Sequence, residues 1–260
     1  MAYDLYVGID YSGASTPIAR SRTLQVYAAS AGEQPVAVRS LGSTNKRVRS
    51  WNRREIAEWL VSEIASGKRV LAGIDHAFSF PMAYFERYKL KSWHEFLDDF
   101  CRHWPLLADD SRVEDFRPHR KRHYEFTREG KDYRLTETWS PSAKSVFLFD
   151  VQGSVAKSTH AGLPWLGWIR QAVGEQVHIW PFEGWDPPSE KSVIAEVYPS
   201  VFSKRYERAE RTADEQDAYA VARWLVENDQ RGFLQRYFNP PLTSEQQRIA
   251  SKEGWILGIT

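Results

Sequence analysis

Two apolar segments far apart in the chain end in the same word, Val7-Gly8-Ile9-Asp10 and Ala72-Gly73-Ile74-Asp75. Each is short, rich in β-branched residues and stopped by an acid, which is the pattern of a buried strand rather than a helix. Residues 3 to 9 form the first strand, and the turn Ser12-Gly13-Ala14 follows Asp10. Thr23 to Ala28 alternates as a second strand and Val36 to Leu41 as a third. The period then changes: Ile56, Trp59, Leu60 and Ile64 share one helical face, Asn52 and Glu55 are spaced as a capping pair, and Gly67 closes the helix. Arg69 to Ile74 is the next strand. Three strands on short links make a meander, and the strand–helix–strand step that follows favours a parallel neighbour reached by a right-handed crossover. The chain is therefore of the α/β class.

Regular patterning returns near the other end. Ser192 to Val197 reads as a strand stopped by Pro199, Thr212 with Glu215 forms a capping box for a helix running to about Asn228, and a short helix follows Thr243. The middle is different. It holds much of the chain's Trp, Phe, His and Arg, and its periodicity is broken. Ser92 and Glu95 open a helix with the stripe Phe96, Leu97, Phe100, Cys101 and Trp104, ended by Pro105. A second helix is expected from Gly162 to near Gly174, and Trp180 to Pro188 reads as a proline-stiffened loop. This divides the chain into a core of residues 1–80 and 190–260 and an inserted helical and irregular region, 81–189, packed on it. With 11 tryptophans in 260 residues, the aromatic content is large; Trp165, Trp168, Trp180 and Trp185 are expected in the core of the inserted region.

The chemistry lies in the acids. In an open α/β sheet ligands sit outside the carboxyl ends of the strands, and that is where Asp10 and Asp75 fall. The helix after Thr212 carries Asp214 and Asp217, three residues apart and hence on one face, where two like charges repel unless a cation joins them. Glu196 lies at the end of the late strand. Asp214 also has the ordinary role of a first-turn acid favoured by the helix dipole, Asp10 that of a turn cap, and Glu196 that of an ion-pair partner for an arginine such as Arg205 or Arg211. Converging carboxylates suit Mg²⁺ or Mn²⁺, hard cations that prefer oxygen. Two such ions about 4 Å apart activate a water and stabilise the leaving oxygen of a phosphodiester. The run Arg117-Pro-His-Arg-Lys-Arg-His123 is the only dense basic stretch, and Arg117, Arg120, Lys121 and Arg122 would suit contact with the phosphates of a nucleic acid. Lys144, Lys157 and His160 are further candidates for the same cleft.

Gly8-Ile9-Asp10, Ile74-Asp75 followed by a loop with Pro81, Glu196-Val197-Tyr198-Pro199, Asp214-x-x-Asp217-Ala218 and the ending Glu253-Gly254-Trp255-Ile256 together resemble the DUF429 family of predicted nucleases, related to RuvC-type resolvases within the ribonuclease H-like superfamily. The resemblance covers roughly residues 3–80 and 190–258. It implies a ribonuclease H-like mixed sheet flanked by helices, with Asp10, Asp75, Asp214 and Asp217 as metal ligands, Glu196 beside them, and a hydrolase acting on phosphodiester bonds. Tyr11-Ser12-Gly13-Ala14 departs from the glycine-rich, Trp-containing turn frequent in that family. Two other classes compete: an actin-like ATPase, for which the second phosphate loop and Gly-rich adenosine motif are missing, and a non-catalytic scaffold that keeps the fold.

Composition excludes several alternatives. The single cysteine, Cys101, rules out an internal disulfide and argues for a reducing, cytoplasmic setting. It sits on an apolar stripe and is expected to be buried and inert. No run approaches 18 apolar residues, so no membrane span is expected, nor does the N-terminus follow the plan of a signal peptide. The net charge of +1 means that any basic surface is local.

Overall fold

The computed structural model of the protein describes residues 2–40, 50–116, 132–140, 142–149 and 154–260. Six strands make one mixed sheet: β1 (Leu5–Asp10), β2 (Gln25–Ser30), β3 (Val36–Ala37), β4 (Val70–Asp75), β5 (Val177–Trp180) and β6 (Ser192–Glu196), in the order β3-β2-β1-β4-β6-β5. β2 runs antiparallel to both β1 and β3, whereas β1, β4, β6 and β5 are mutually parallel. The expected α/β class and the meander-then-crossover order are both present.

The two faces of the sheet are covered by different helices, and strand alternation decides which residue faces which. Val7 and Ile9 of β1 and Ala72 and Ile74 of β4 belong to the core shared with helices α1 (Arg53–Ala65) and α6 (Ala156–Val173). Tyr6 and Leu71 belong to the opposite core, against helix α7 (Ala213–Gln230). Gly8 and Gly73 share that second face and are register partners. A methyl added at Gly8 would stand 2.1 Å from the Ala218 carbonyl oxygen and 2.7 Å from the Ala222 nitrogen, and one at Gly73 would stand 2.7 Å from Val221 Cγ1. The paired glycines thus let α7 lie with its backbone almost on the strands. Gly8→Ala is expected to cost about 3 kcal/mol or more, because the obstacle is backbone that cannot rotate away. Urea denaturation would measure it, and a midpoint equal to that of the wild type would rule out this close approach.

Among the described residues the remaining α-helices are α2 (Met82–Tyr88), α3 (Trp93–His103), α4 (Val113–Phe116), α5 (Leu135–Thr138), α8 (Leu234–Phe238) and α9 (Ser244–Glu253). The capping pairs read from sequence are formed at Asn52/Glu55 and Thr212/Glu215. At α3 the Ser92 side chain caps as expected, but Glu95 accepts from Lys91 N–H at 2.7 Å instead of closing the box.

Of the strand expected from Val36 to Leu41, β3 covers Val36–Ala37, and Leu41 lies outside the described residues. Two expectations need correction. Helix α6 begins six residues before Gly162 and passes straight through Pro164; Gly-Leu-Pro imitates a helix start because proline is favoured in a first turn. β5 lies in the segment expected to be helical or irregular and pairs with β6 as an edge strand. All four of its residues are buried, so it shows no alternation to read. The middle segment therefore contributes a strand to the sheet, and α6 from the same segment packs against α1 and α3. Trp165 and Trp180 are buried, while Trp168 and Trp185 are partly so. Among the described residues no helix is long and apolar enough to cross a membrane.

Candidate functional site

Asp10 and Asp75 are register partners at the carboxyl ends of the two central parallel strands, so their backbones are separated by the strand spacing of about 4.8 Å. Alternation places both on the face that carries Gly8 and Gly73, under α7. Helix α7 starts above this end of the sheet. Thr212 Oγ1 accepts from Glu215 N–H at 3.2 Å, and the Glu215 carboxylate accepts from Thr212 N–H at 2.8 Å. Gln216 ties the first turn to the preceding segment, donating to the carbonyls of Ser203 at 3.2 Å and Tyr206 at 2.9 Å. Asp214 and Asp217 project from these first turns.

The four acids act on one another. Burial pushes the Asp10 carboxyl up to about 9, reinforced by the charges of Asp75, Asp214 and Asp217. Burial likewise lifts Asp75 to about 8, with contributions from Asp217 and Glu196. Asp217 is raised by burial and by Asp214, against the opposing pull of a hydrogen bond to Ser203 and the charge of Arg208. Asp214 is raised by burial and by Glu215. Among the described residues neither the Asp10 nor the Asp75 carboxylate has a hydrogen bond or an ion pair. Both residues are half-buried, so the pair remains open to a ligand. No three His, Cys, Asp or Glu side chains among the described residues are already gathered into coordinating geometry. The donor set is nonetheless all oxygen and carries excess negative charge, the composition that a hard divalent cation takes.

Glu196 is placed otherwise than expected. Its register partner is Ile74, so it faces the α1/α6 side, away from Asp10. There it is held by Arg134, not by Arg205 or Arg211. Arg134 Nη2 donates to Oε1 at 2.6 Å and Nη1 to Oε2 at 2.7 Å, and Phe78 N–H donates to Oε2 at 3.0 Å. Arg134 also donates to Glu137 Oε1 at 2.9 Å and to the Glu253 carbonyl at 3.2 Å. Glu253 in turn accepts from Met82 N–H and Leu135 N–H, each at 2.5 Å. With its lone pairs committed to a guanidinium and a backbone amide, Glu196 is a structural acid beside the site, not a free ligand. Nothing in the sequence marks Arg134 as its partner, because the pair joins an irregular segment to a strand.

A small cavity of about 40 Å³ lies against Asp75, lined also by His76, Glu196, Lys144, Val155 and Tyr198. Lys144 thus shares a cavity with Asp75, the one member of the acid group that lines it. Lys157 instead pairs with Glu114 at 2.7 Å, and His160 is buried among aromatic rings, 4.6 Å from Trp104 and 5.2 Å from Phe80. Arg117, Arg120, Lys121 and Arg122 lie outside the described residues. Burial pushes the Cys101 thiol up to about 12, in keeping with an unreactive side chain. Compared with protein-family models, with curated proteins and with solved structures, the chain gives no match.

Proposed function

We propose that the chain is a divalent-cation-dependent hydrolase of phosphodiester bonds, built on a ribonuclease H-like plan and acting on nucleic acid in the cytoplasm. The observation that carries this reading is the placing of Asp10 and Asp75 as register partners at adjacent strand ends, without protein partners for their carboxylates among the described residues and beside the Asp214/Asp217 turn, whose charges help raise both. Perturbed acids grouped at strand ends are a recurrent mark of functional sites. The strand order, with an antiparallel second strand and the two acids on adjacent central strands, supports the fold assignment, as do the sequence motifs.

On this reading Asp10, Asp75 and Asp217 would hold Mg²⁺ or Mn²⁺, with Asp214 at the outer edge. The bound cation would supply Lewis-acid activation of water and charge stabilisation at phosphorus. The residues of the chain prepare for it. Burial and the neighbouring acids raise the Asp10 and Asp75 carboxyls, so taking up a cation there would release protons. The glycine-seated α7 fixes Asp217 against the strand ends, and Lys144, which lines a cavity together with Asp75, would meet a phosphate oxygen. The Arg134–Glu196 pair holds the Asp75 turn through Phe78 N–H and stays outside the chemistry.

Titration calorimetry with Mn²⁺ tests this directly. The wild type should bind, and Asp10→Asn and Asp217→Asn should each weaken binding by a hundredfold or so, about 3 kcal/mol for a lost charged ligand. Metal affinity that survives both changes would exclude this site. Incubation with DNA, RNA, branched junctions and ATP then reads the substrate, and hydrolysis of ATP alone would reject the phosphodiester assignment.

A further inference from the structure

One helix of the aromatic middle grips both turns that leave the paired acids. Thr159 of α6 is fully buried, and its Oγ1 accepts from Ala77 N–H at 3.1 Å, two residues beyond Asp75. Gly162, one turn on, makes room for the His76 ring; a methyl there would stand 2.4 Å from His76 Nε2. The Lys157 carbonyl lies so close to the other turn that a methyl at Gly13 would stand 2.0 Å from its oxygen. Tyr11 and His76, which directly follow Asp10 and Asp75, meet edge to face with ring centres 4.8 Å apart. Arg53 of α1 closes the arrangement. It is buried and donates from Nη1 to the carbonyls of Ser12 at 3.3 Å and Ala14 at 2.7 Å, and from Nη2 to that of Ser15 at 2.9 Å.

We infer that α6 is the positioning element of the acid site and Thr159 its positioning residue. The helix presses on both turns, so it fixes how far apart and at what angle Asp10 and Asp75 are presented. The Thr159 hydroxyl touches neither acid. It satisfies the amide that would otherwise be free to tip the Asp75 turn. The inserted region is then part of the site's foundation as well as a wall beside it. This rests on the metal-binding reading of the site.

Thr159→Val keeps shape and removes the acceptor; Thr159→Ser keeps the acceptor; Gly162→Ala pushes on His76. Mn²⁺ titration calorimetry and thermal melts on all three, alongside the wild type, separate positioning from folding. Thr159→Val should remain folded and bind Mn²⁺ about 10- to 100-fold more weakly, the usual effect of removing an outer support of a metal ligand. Thr159→Ser should regain most of that loss, and Gly162→Ala should weaken binding as well. If Thr159→Val binds Mn²⁺ as tightly as the wild type, or Thr159→Ser is as weak as Thr159→Val, the inference fails while the metal reading stands. A wild type that binds no Mn²⁺ overturns both.

Discussion

At pH 8 and without divalent cations, Asp10→Asn will melt at a higher temperature than the wild type. The sign follows from the raised carboxyls. In the unfolded chain an aspartate titrates near 3.9, whereas in the fold Asp10 is pushed up to about 9 and Asp75 to about 8, by burial first and by neighbouring acids second. Below about pH 4 both states hold these protons. Between pH 4 and pH 8–9 the unfolded chain has released protons that the folded chain keeps, so unfolding becomes progressively easier as pH rises. The two sites titrate as a pair and keep some contact with solvent, so a loss of about 2–3 kcal/mol is expected across that window rather than the full sum of both shifts. In a chain of this size that is a fall of about 5 °C in Tm. Asparagine at position 10 removes one acid and relieves the other, so its curve should be flatter and higher at pH 8. Mn²⁺ should reverse the order: a cation at a hundred times its dissociation constant adds about 2.7 kcal/mol to the wild type and little to the variant. Differential scanning fluorimetry at pH 5 and pH 8, with and without Mn²⁺, reads all four cases. A wild type whose Tm is flat in pH and indifferent to Mn²⁺ would show that the acids are not strained against one another.

Arg134→Met should have the largest effect on folding of any single change away from the sheet. The guanidinium is 1% exposed and binds Glu196 and Glu137. Removing it leaves two buried carboxylates without a counter-charge, and truncating one partner of a buried pair costs about 3–5 kcal/mol. The consequences spread because Arg134 also holds the Glu253 carbonyl, and Glu253 holds Met82 and Leu135. Arg134→Met combined with Glu196→Gln should recover part of the loss by deleting one stranded charge. Chemical denaturation of the single and double variants checks both statements; a single variant within about 1 kcal/mol of the wild type would mean that the pair is solvated after all.

What could be read from the sequence followed from local rules. The repeated Gly-Ile-Asp endings mark β1 and β4 because a buried strand leaves an uninterrupted apolar run, and the two acids fall at matching register as a consequence. Thr212 and Glu215 mark the start of α7 because capping is settled within four residues. Failures occur where the decisive partner is remote or the local signal is silent. β5 is buried on both faces and so lacks alternation. The true start of α6 is hidden behind a proline that mimics one. Glu196 has the spacing of a site acid, but its face is set by the register with Ile74 and its partner is Arg134, and neither is encoded near position 196. Thr159 and Arg53 carry no signal at all, since each matters through backbone atoms distant in sequence, and Gly162, which reads as a helix start, matters instead through the ring of His76.

The glycine pair and the strand register together set an uneven tolerance to change. Asp10 and Asp75 are spaced by the sheet itself, so their separation belongs to the ladder and not to any connecting loop. A single carbon at Gly8 or Gly73, by contrast, lifts the helix that brings Asp217 to the strand ends. One methyl at this seat reaches the site from a position that carries no functional group. The presentation of the acids is therefore governed as much by two small positions in the sheet as by the acids themselves.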